Sequence, residues 1–259
     1  MFIEDAMSSA ADSARGRMEA VPARVLERML ENSGPAPSFE AAIRRGEGPV
    51  RIIAEVKRAS PSAGVLYGNA SVSRLVAEYR RAGAAAVSIL TNDMFAGTLT
   101  DLHKAGEEGG LPILRKDFIS LEYQLLEARV NGASAALLIS DALAADRLRA
   151  LLGYAGSLGL DALVESHGRE GLERAADCGA RILGINNRDL GTLELDLGTT
   201  ERLLPLVPPG TVVVSESGIR RREDVARMDV AGVDALLIGE ELMRADSPGQ
   251  RLKELMAIP

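Results

Sequence analysis

Cysteine and histidine are scarce in this chain of 259 residues, and their scarcity excludes several kinds of chemistry. The only cysteine is Cys178, and the only histidines are His103 and His167. One cysteine cannot form an internal disulfide bond, and the three residues do not have the spacing of a His/Cys zinc site. Cys178 ends a helix-like stretch, so we interpret it as a buried structural thiol rather than as half of a catalytic Cys–His pair. We expect the chemistry to rely on carboxylates, lysines and amides.

Long apolar runs and an excess of positive charge are also missing. The longest apolar stretches, such as 135–139, fall far short of the roughly 18 residues that span a bilayer. Lysine and arginine number 30 against 37 acidic residues, and no dense basic run could follow a phosphate backbone. The first twenty residues lack the basic start and apolar block of a secretion signal. We therefore expect a soluble, cytoplasmic protein without nucleic-acid or membrane partners.

The sequence does contain a regular alternation of two kinds of segment. Short apolar runs bounded by Gly, Pro, Asn or Asp are typical of strands, and segments with helical spacing of apolar residues lie between them. Several runs are almost continuously apolar, as in a parallel sheet that is covered on both faces. We therefore predict an α/β fold, a closed (β/α)8 TIM barrel, in preference to an open doubly wound sheet. The eight predicted strands are 51–57, 85–91, 112–116, 135–140, 161–165, 182–186, 211–216 and 235–239.

Residues 1–48 precede the first strand, and we interpret them as an N-terminal helical extension of a single domain that spans 1–259. An amphipathic helix is predicted over 18–31, packed on the barrel, and a Gly-Pro-Ala-Pro sequence follows it as a helix breaker. A shorter helix over 39–45 leads into the first strand. We expect the first dozen residues to be disordered, as chain termini often are.

Charged and amide side chains end several of the predicted strands. The active site of a TIM barrel lies at the carboxyl ends of its strands, so these groups would converge on one mouth. A single charged strand end is ordinarily solvated or part of a neutralising ion pair. Several together shift one another's pKa values, so we interpret the mouth as catalytic. The predicted catalytic residues are Glu55, Lys57, Lys116, Glu165, Asn186 and Glu216.

Glycines after the seventh and eighth strands predict a phosphate site. Ser217 and Gly218 open one helix, and Gly239 with Glu240 opens another, at the two places where barrels commonly bind phosphate through backbone amides. Ser60 begins a loop of lid-like composition and could reach the same anion. Each piece alone is equally well explained as an ordinary turn.

The strand ends and the loops after them resemble those of one known family. Residues 53–62 are similar to the opening strand and loop of indole-3-glycerol phosphate synthase. The strings Lys-Asp-Phe-Ile at 116–119 and Asn-Asn-Arg-Asp-Leu at 186–190 are specific to that family. Further similar segments follow in the family's order between Phe39 and the end of the chain: 88–97, 163–165, 215–219 and 237–240.

This resemblance implies an activity and a role for each site residue. The family closes the indole ring of 1-(2-carboxyphenylamino)-1-deoxy-D-ribulose 5-phosphate with loss of CO2 and water, on the tryptophan pathway, without a metal or organic cofactor. By resemblance, Lys116 is the general acid of ring closure, and Glu165 and Lys57 manage the dehydration. The implied orienting residues are Glu55, Asn186, Arg188 and Glu216. The implied phosphate ligands are Ser60, Ser217, Gly218 and Gly239, and the implied walls of the aromatic ring are Phe95 and Leu190.

Few positions depart from the family pattern. Glu241 occupies a position that is usually small, and we expect it to point to solvent, because a carboxylate at a helix start would weaken phosphate binding. His167 stands near the place of a usual acidic residue and is interpreted as a surface side chain. We expect a phosphorylated small-molecule substrate and a monomer or weak homo-oligomer.

Two rival functions keep the barrel and the phosphate site. In one, Lys116 forms a Schiff base in an aldolase, a chemistry that suits a desolvated lysine. In the other, an idle barrel senses a phosphorylated metabolite, although the intact set of acids and bases argues against this. A third rival, a sister isomerase that acts on the related ribosylamine phosphate, would need its own pair of acid and base, typically with a cysteine at the end of the first strand, where this chain has Lys57.

Overall fold

A computed structural model of the protein describes residues 2–31, 33–60, 64–66, 71–189 and 191–257. Eight parallel strands form a closed barrel in which each strand pairs with its neighbours along the chain and the last pairs with the first. The predicted TIM barrel is therefore confirmed, and every strand boundary lies within one residue of its predicted position. The strands are β1 (Arg51–Val56), β2 (Ala86–Leu90), β3 (Ile113–Lys116), β4 (Ala135–Ile139), β5 (Asp161–Ser166), β6 (Ile182–Asn186), β7 (Val212–Glu216) and β8 (Ala235–Ile238).

Three helices precede β1, and they differ in part from the prediction. They are α1 (Phe2–Ala20), α2 (Ala23–Glu31) and α3 (Phe39–Ile43). The helix predicted over 18–31 is interrupted, because Pro22 has no amide hydrogen to donate and disfavours helical backbone at the residue before it. The prediction of a disordered start is wrong, since α1 begins at Phe2 and its residues Ala6, Met7 and Ala10 are buried.

The remaining helices surround the barrel, and each strand is followed by at least one of them. Among the described residues, no helix is both long enough and apolar enough to cross a membrane. The helices are α4 (Val72–Ala82), α5 (Leu99–Glu108), α6 (Glu122–Val130), α7 (Ala145–Ser157), α8 (Arg169–Asp177), α9 (Gly198–Leu203), α10 (Arg222–Ala231), α11 (Glu240–Met243) and α12 (Pro248–Met256).

The apolar core has two parts because side chains alternate between the two faces of each strand. Ile52 and Ala54 of β1 belong to the outer layer between strands and helices, whereas Ile53 belongs to a cluster inside the barrel. Phe39 and Ile43 of α3 are fully buried members of that inner cluster. The backbone N–H groups of Glu40 in α3 and of Arg45 just after it donate hydrogen bonds to Asp161 and Asp234, at the amino ends of two strands. These bonds place α3 beneath the barrel, where it closes the end opposite the mouth.

A buried ion-pair network connects α1 to strand β3. Arg115 is fully buried and donates hydrogen bonds to Asp117 at 2.9 Å and to Glu127 of α6 at 3.3 Å. Glu127 also accepts two hydrogen bonds from Arg17 of α1, at 2.6 and 2.9 Å. Because Arg115 and Asp117 flank Lys116 in the sequence, the network holds in place the strand end that carries this lysine.

Replacing Arg17 with alanine should lower the free energy of unfolding by about 1–2 kcal/mol, because it removes a two-pronged contact to a buried carboxylate that Arg115 still neutralises. Arg15 on the same helix is the matched control, since its one ion pair among the described residues is with Asp12 and both side chains are exposed. Arg15→Ala should change the unfolding free energy by less than about 0.5 kcal/mol. Urea unfolding of both variants measures the difference. Equal losses would show that the contact of α1 with α6 adds nothing beyond a surface ion pair.

Candidate active site

A cavity of about 840 Å³ opens at the carboxyl ends of the barrel strands. Its floor is apolar, and four of its charged residues lie two residues beyond apolar residues of the inner cluster, as the strand period requires: Glu55, Lys116, Glu165 and Glu216. Leu114 thus lies two residues before Lys116, Leu163 two residues before Glu165, and Val214 two residues before Glu216. All six predicted catalytic side chains line this one cavity: Glu55, Lys57, Lys116, Glu165, Asn186 and Glu216.

Lys116 lies between two carboxylates at the centre of the cavity. Its Nζ is 2.9 Å from Glu165 Oε2, and it also donates a hydrogen bond to Glu216 Oε2. Burial by itself would lower the pKa of Lys116, but the charges of Glu165, Glu216 and Glu55 outweigh burial and hold the pKa well above its ordinary value. Lys116 is therefore an ammonium at neutral pH, which is the form that can donate a proton.

Glu165, in contrast to Lys116, is held in its deprotonated form. Its Oε1 accepts a hydrogen bond from Asn186 Nδ2 at 3.1 Å and lies 3.3 Å from His167 Nε2. Burial would raise the pKa of this carboxyl, but Lys116 and His167 hold the pKa well below its usual range. Glu165 is therefore a carboxylate at neutral pH and can accept a proton.

Glu216 differs from Glu165 although both contact the same lysine. Burial raises the pKa of Glu216 to about 8; Lys116 acts against this rise, and the nearby charge of Glu165 adds to it. Its Oε1 is buried and has no hydrogen-bond partner among the described residues. Two carboxyl groups with pKa values pushed apart around one ammonium are typical of sites that carry out acid–base catalysis.

Two glycines make room for the buried carboxyl groups. A Cβ atom at Gly184 of β6 would overlap Glu216 Oε1, and one at Gly239 would overlap Glu55 Oε1. Glu55 in turn lies 3.2 Å from Lys57 Nζ, which completes the charged ring of the mouth. Gly239 was predicted only as a phosphate ligand, and its role in seating Glu55 is visible only in three dimensions.

This barrel with its charged mouth was compared with known proteins. A family model described as indole-3-glycerol phosphate synthase matches residues 7–255. The chain belongs to this family. The indole-3-glycerol phosphate synthase of Dehalococcoides mccartyi (strain CBDB1) is 44% identical over 249 residues, which cover 95% of each chain. That of Campylobacter curvus (strain 525.92) is 40% identical over 258 residues, or 98% of this chain and 99% of the relative.

Two solved structures are similar to this chain more distantly, in fold alone. A mutant tryptophan synthase α-subunit from Pyrococcus furiosus has a TM-score of 0.62 at 14% identity, covering 80% of this chain and 98% of that one. A thiamine phosphate pyrophosphorylase from Pyrococcus furiosus has a TM-score of 0.58 at 15% identity, covering 80% and 93%. At such low identity these likenesses concern the barrel alone.

The family resemblance also predicted the groups that bind the ends of the substrate. Phe95, in a turn after β2, stacks on Phe118 with ring centroids 6.3 Å apart, and both line the cavity. Phe118 was not among the predicted site residues, although it lies within the family-like string at 116–119. Arg188 lines the mouth and donates to the Leu193 carbonyl oxygen at 3.2 Å. Leu190 lies outside the described residues.

Three of the four predicted phosphate ligands, Ser217, Gly218 and Gly239, line the rim of the cavity after β7 and β8. Ser217 and Gly218 have φ angles of 66° and 85°, so both are in the left-handed region that is unusual for serine. Gly239 and Glu240 line the same rim, and Glu240 pairs with Arg244 at 3.0 Å. The backbone of Ser60 pairs with Gly64 in a short hairpin, but its side chain and residues 61–63 lie outside the described part of the chain.

Three further expectations need correction. His167 is not a surface residue, because its side chain is only 9% exposed and lies between Glu165 and Asp141. Glu241 does not simply point to solvent, since it is partly buried and pairs with Arg251 at 2.7 Å, which neutralises its charge. Cys178 is partly rather than fully buried, and its Sγ lies 3.5 Å from the Ala145 carbonyl oxygen, on the outer layer of the barrel.

Proposed function

We propose that this chain catalyses the indole-3-glycerol phosphate synthase reaction in tryptophan biosynthesis. The reaction converts 1-(2-carboxyphenylamino)-1-deoxy-D-ribulose 5-phosphate into indole-3-glycerol phosphate, CO2 and water. The observation that supports it most strongly is the contrast at the mouth, where a protonated lysine contacts an ionised carboxylate. Such a pair offers both an acid and a base to one bound molecule at neutral pH. The cavity volume is within the range of about 300–1,000 Å³ that is usual for small-molecule sites.

Ring closure needs an acid at the ribulose carbonyl. The aromatic carbon that carries the carboxylate attacks the carbonyl carbon, and Lys116 donates its proton to the carbonyl oxygen, which becomes a hydroxyl group. The C–C bond to the carboxylate then breaks, and its electron pair restores the aromatic ring as CO2 leaves. Glu55 and Glu216 serve as orienting groups, because they lie beside the two lysines of the mouth.

Dehydration needs a base and a second acid. Glu165 takes a proton from the closed ring, and Lys57 protonates the hydroxyl group so that it departs as water. Asn186 holds Glu165 Oε1 through its amide, and the backbone N–H of Arg188 donates to Asn186 Oδ1 at 3.0 Å. These contacts aim the base at the cavity.

The two ends of the substrate are bound by different surfaces. The amides after β7 and β8, at Ser217, Gly218 and Gly239, hold the phosphate, with Glu240 at the same rim and Ser60 as a further ligand implied by the family resemblance. The stacked rings of Phe95 and Phe118 accept the aromatic end, together with Leu190. We further propose that the chain acts as one domain over residues 1–259 in the cytoplasm, as a monomer or weak homo-oligomer.

A direct assay tests this function. Purified protein mixed with the carboxyphenylamino sugar phosphate should develop indole absorbance without added metal, against little background because the chain has no tryptophan. Borohydride treatment with a keto-sugar phosphate should trap no adduct, since a Schiff base requires an uncharged amine and Lys116 is held as an ammonium. Folded protein that gives no absorbance would contradict the proposal, and a trapped adduct at Lys116 would favour an aldolase.

Gly218→Asp should raise KM by roughly tenfold or more, because it places a carboxylate where backbone amides approach the phosphate dianion. Inorganic phosphate should compete with substrate in the wild type and fail to compete in this variant. Gly210→Asp is a close control: its φ angle of 84° matches that of Gly218, but it lies in an exposed turn outside the cavity. Equal changes of KM in both variants would remove Gly218 from the phosphate site.

A further inference from the structure

A chain of polar contacts leads from Asp141, in the turn after β4, through His167 to the carboxylate of Glu165. Asp141 Oδ2 accepts from the backbone N–H of His167 at 3.0 Å and lies 3.1 Å from His167 Nδ1. His167 Nε2 lies 3.3 Å from Glu165 Oε1. Exposure falls along the chain, from 25% for the side chain of Asp141 to 9% for His167 and 6% for Glu165. The imidazole is therefore fixed at both nitrogens.

Asp141 is itself held in place by helix α8. A Cβ atom at Gly171, in the first turn of α8, would overlap Asp141 Oδ1 and crowd the hydroxyl of Ser140. A glycine inside a helix costs about 1 kcal/mol relative to alanine. The close approach of the Asp141 side chain explains why position 171 is nevertheless a glycine. Arg174 of α8 donates to the Ser140 carbonyl oxygen at 2.6 Å and holds the same turn. The position of Asp141 is thus set by packing.

The charged groups around His167 favour an imidazolium. Asp141 comes from the turn after β4, Glu165 from the strand that precedes His167, and Asp189 lies at longer range in the loop after β6. Burial would lower the pKa of His167, but Asp141 and Glu165 outweigh it and raise the pKa to about 10. Lys116 is the other cation that contacts Glu165 among the described residues.

The two cations beside Glu165 differ in what happens to them during the proposed reaction, on which this inference rests. Lys116 gives up its proton in ring closure and is then uncharged. Glu165 must remain ionised at that moment, because it acts as the base of the following step. We propose that His167, seated on Asp141, is a positioning residue for Glu165: it fixes Oε1 and supplies a positive charge that persists after Lys116 has lost its own. His167 keeps its protons throughout and transfers none.

His167→Gln tests the proposal, with His103→Gln as control because that histidine is exposed and, within the described part of the chain, pairs only with Glu107. In a single turnover, His167→Gln should release CO2 before indole absorbance appears, since only the second step has lost its support. The acid limb of its pH–rate profile should move up by about one unit, because an opposite charge at this distance lowers a carboxyl pKa by 1–3 units. At pH values below the acid limb, a shift of one pKa unit makes the variant about tenfold slower than the wild type.

The variant Asp141→Asn provides a second test of the same proposal. It keeps an oxygen acceptor for the backbone of His167 but removes the charge that holds the imidazole protonated, so the lag should grow as pH rises and the imidazole deprotonates. Wild type and His103→Gln should show no lag at pH values between the acid limb and the pKa of His167, which is about 10.

Three outcomes decide the matter. A lag with a shifted acid limb supports the proposal. Equal slowing of CO2 release and indole formation, with the acid limb unchanged, would overturn it and leave His167 a structural residue; so would unchanged kinetics in His167→Gln. Thermal unfolding and product binding establish that each variant is folded. Failure of the wild type to form indole would instead count against the proposed function.

Discussion

Replacing Lys116 with methionine should lower turnover by about 10² to 10⁴-fold, the usual contribution of a positioned general acid. Methionine keeps most of the apolar stem and removes only the ammonium. The affinity for product should stay within about tenfold, because the proton is donated in the transition state of ring closure rather than to the bound product. Single-turnover absorbance and product titration measure the two quantities separately.

Lys104→Met is the control for this substitution, since Lys104 lies on the exposed side of α5 and should retain wild-type turnover. A large loss of product affinity in Lys116→Met, with only a modest loss of rate, would reassign Lys116 as a binding residue. Loss of the central cation also leaves Glu165 and Glu216 facing each other, so folding of the variant has to be verified by thermal unfolding.

Glu165→Gln should separate the two halves of the reaction. Glutamine is nearly isosteric and keeps polar contacts with Lys116 and Asn186, but it cannot take a proton. We expect CO2 to appear well ahead of indole absorbance in a single turnover, with dehydration slowed by about 10² to 10⁴-fold. The accumulating species would be the closed ring that still carries its hydroxyl group. Parallel measurement of CO2 and absorbance detects it directly.

Glu107→Gln, at an exposed position of α5, should behave as wild type. If Glu165→Gln instead releases CO2 and forms indole together, both slowed equally, then Glu165 acts at or before ring closure. Full activity would remove it from the set of catalytic residues altogether. The lag expected for His167→Gln is smaller than this one, because that variant keeps the carboxylate.

The barrel could be predicted because each strand and each helix is indicated by a pattern among residues that are close together in the sequence. Apolar runs at strand length, separated by helical periodicity, are sufficient to place eight strands to within one residue. The start of α1 was mispredicted for a physical reason: its buried face consists mainly of alanines, which carry little hydrophobic signal, yet they are covered by the barrel helices.

The charged residues of the candidate site could be predicted from the sequence, whereas the room that their side chains occupy was harder to predict. A strand-end Lys116 or Glu165 is visible in the sequence, whereas the clearance that Gly184 and Gly239 provide depends on which side chains face them across the barrel. His167 is a different case. The two-residue period that turns Glu165 inward also turns His167 inward, so the signal was present and was assigned to the surface instead.

The lower end of the barrel has a kinetic consequence. Phe39 and Ile43 of α3 seal the interior beneath the cavity, so the described part of the chain leaves the mouth as the passage to solvent. Substrate arrives by the same route that CO2, water and indole-3-glycerol phosphate must take outward. A second substrate molecule cannot enter the cavity until the previous product has left it. Release of product therefore sets an upper bound on throughput, however fast the two chemical steps become.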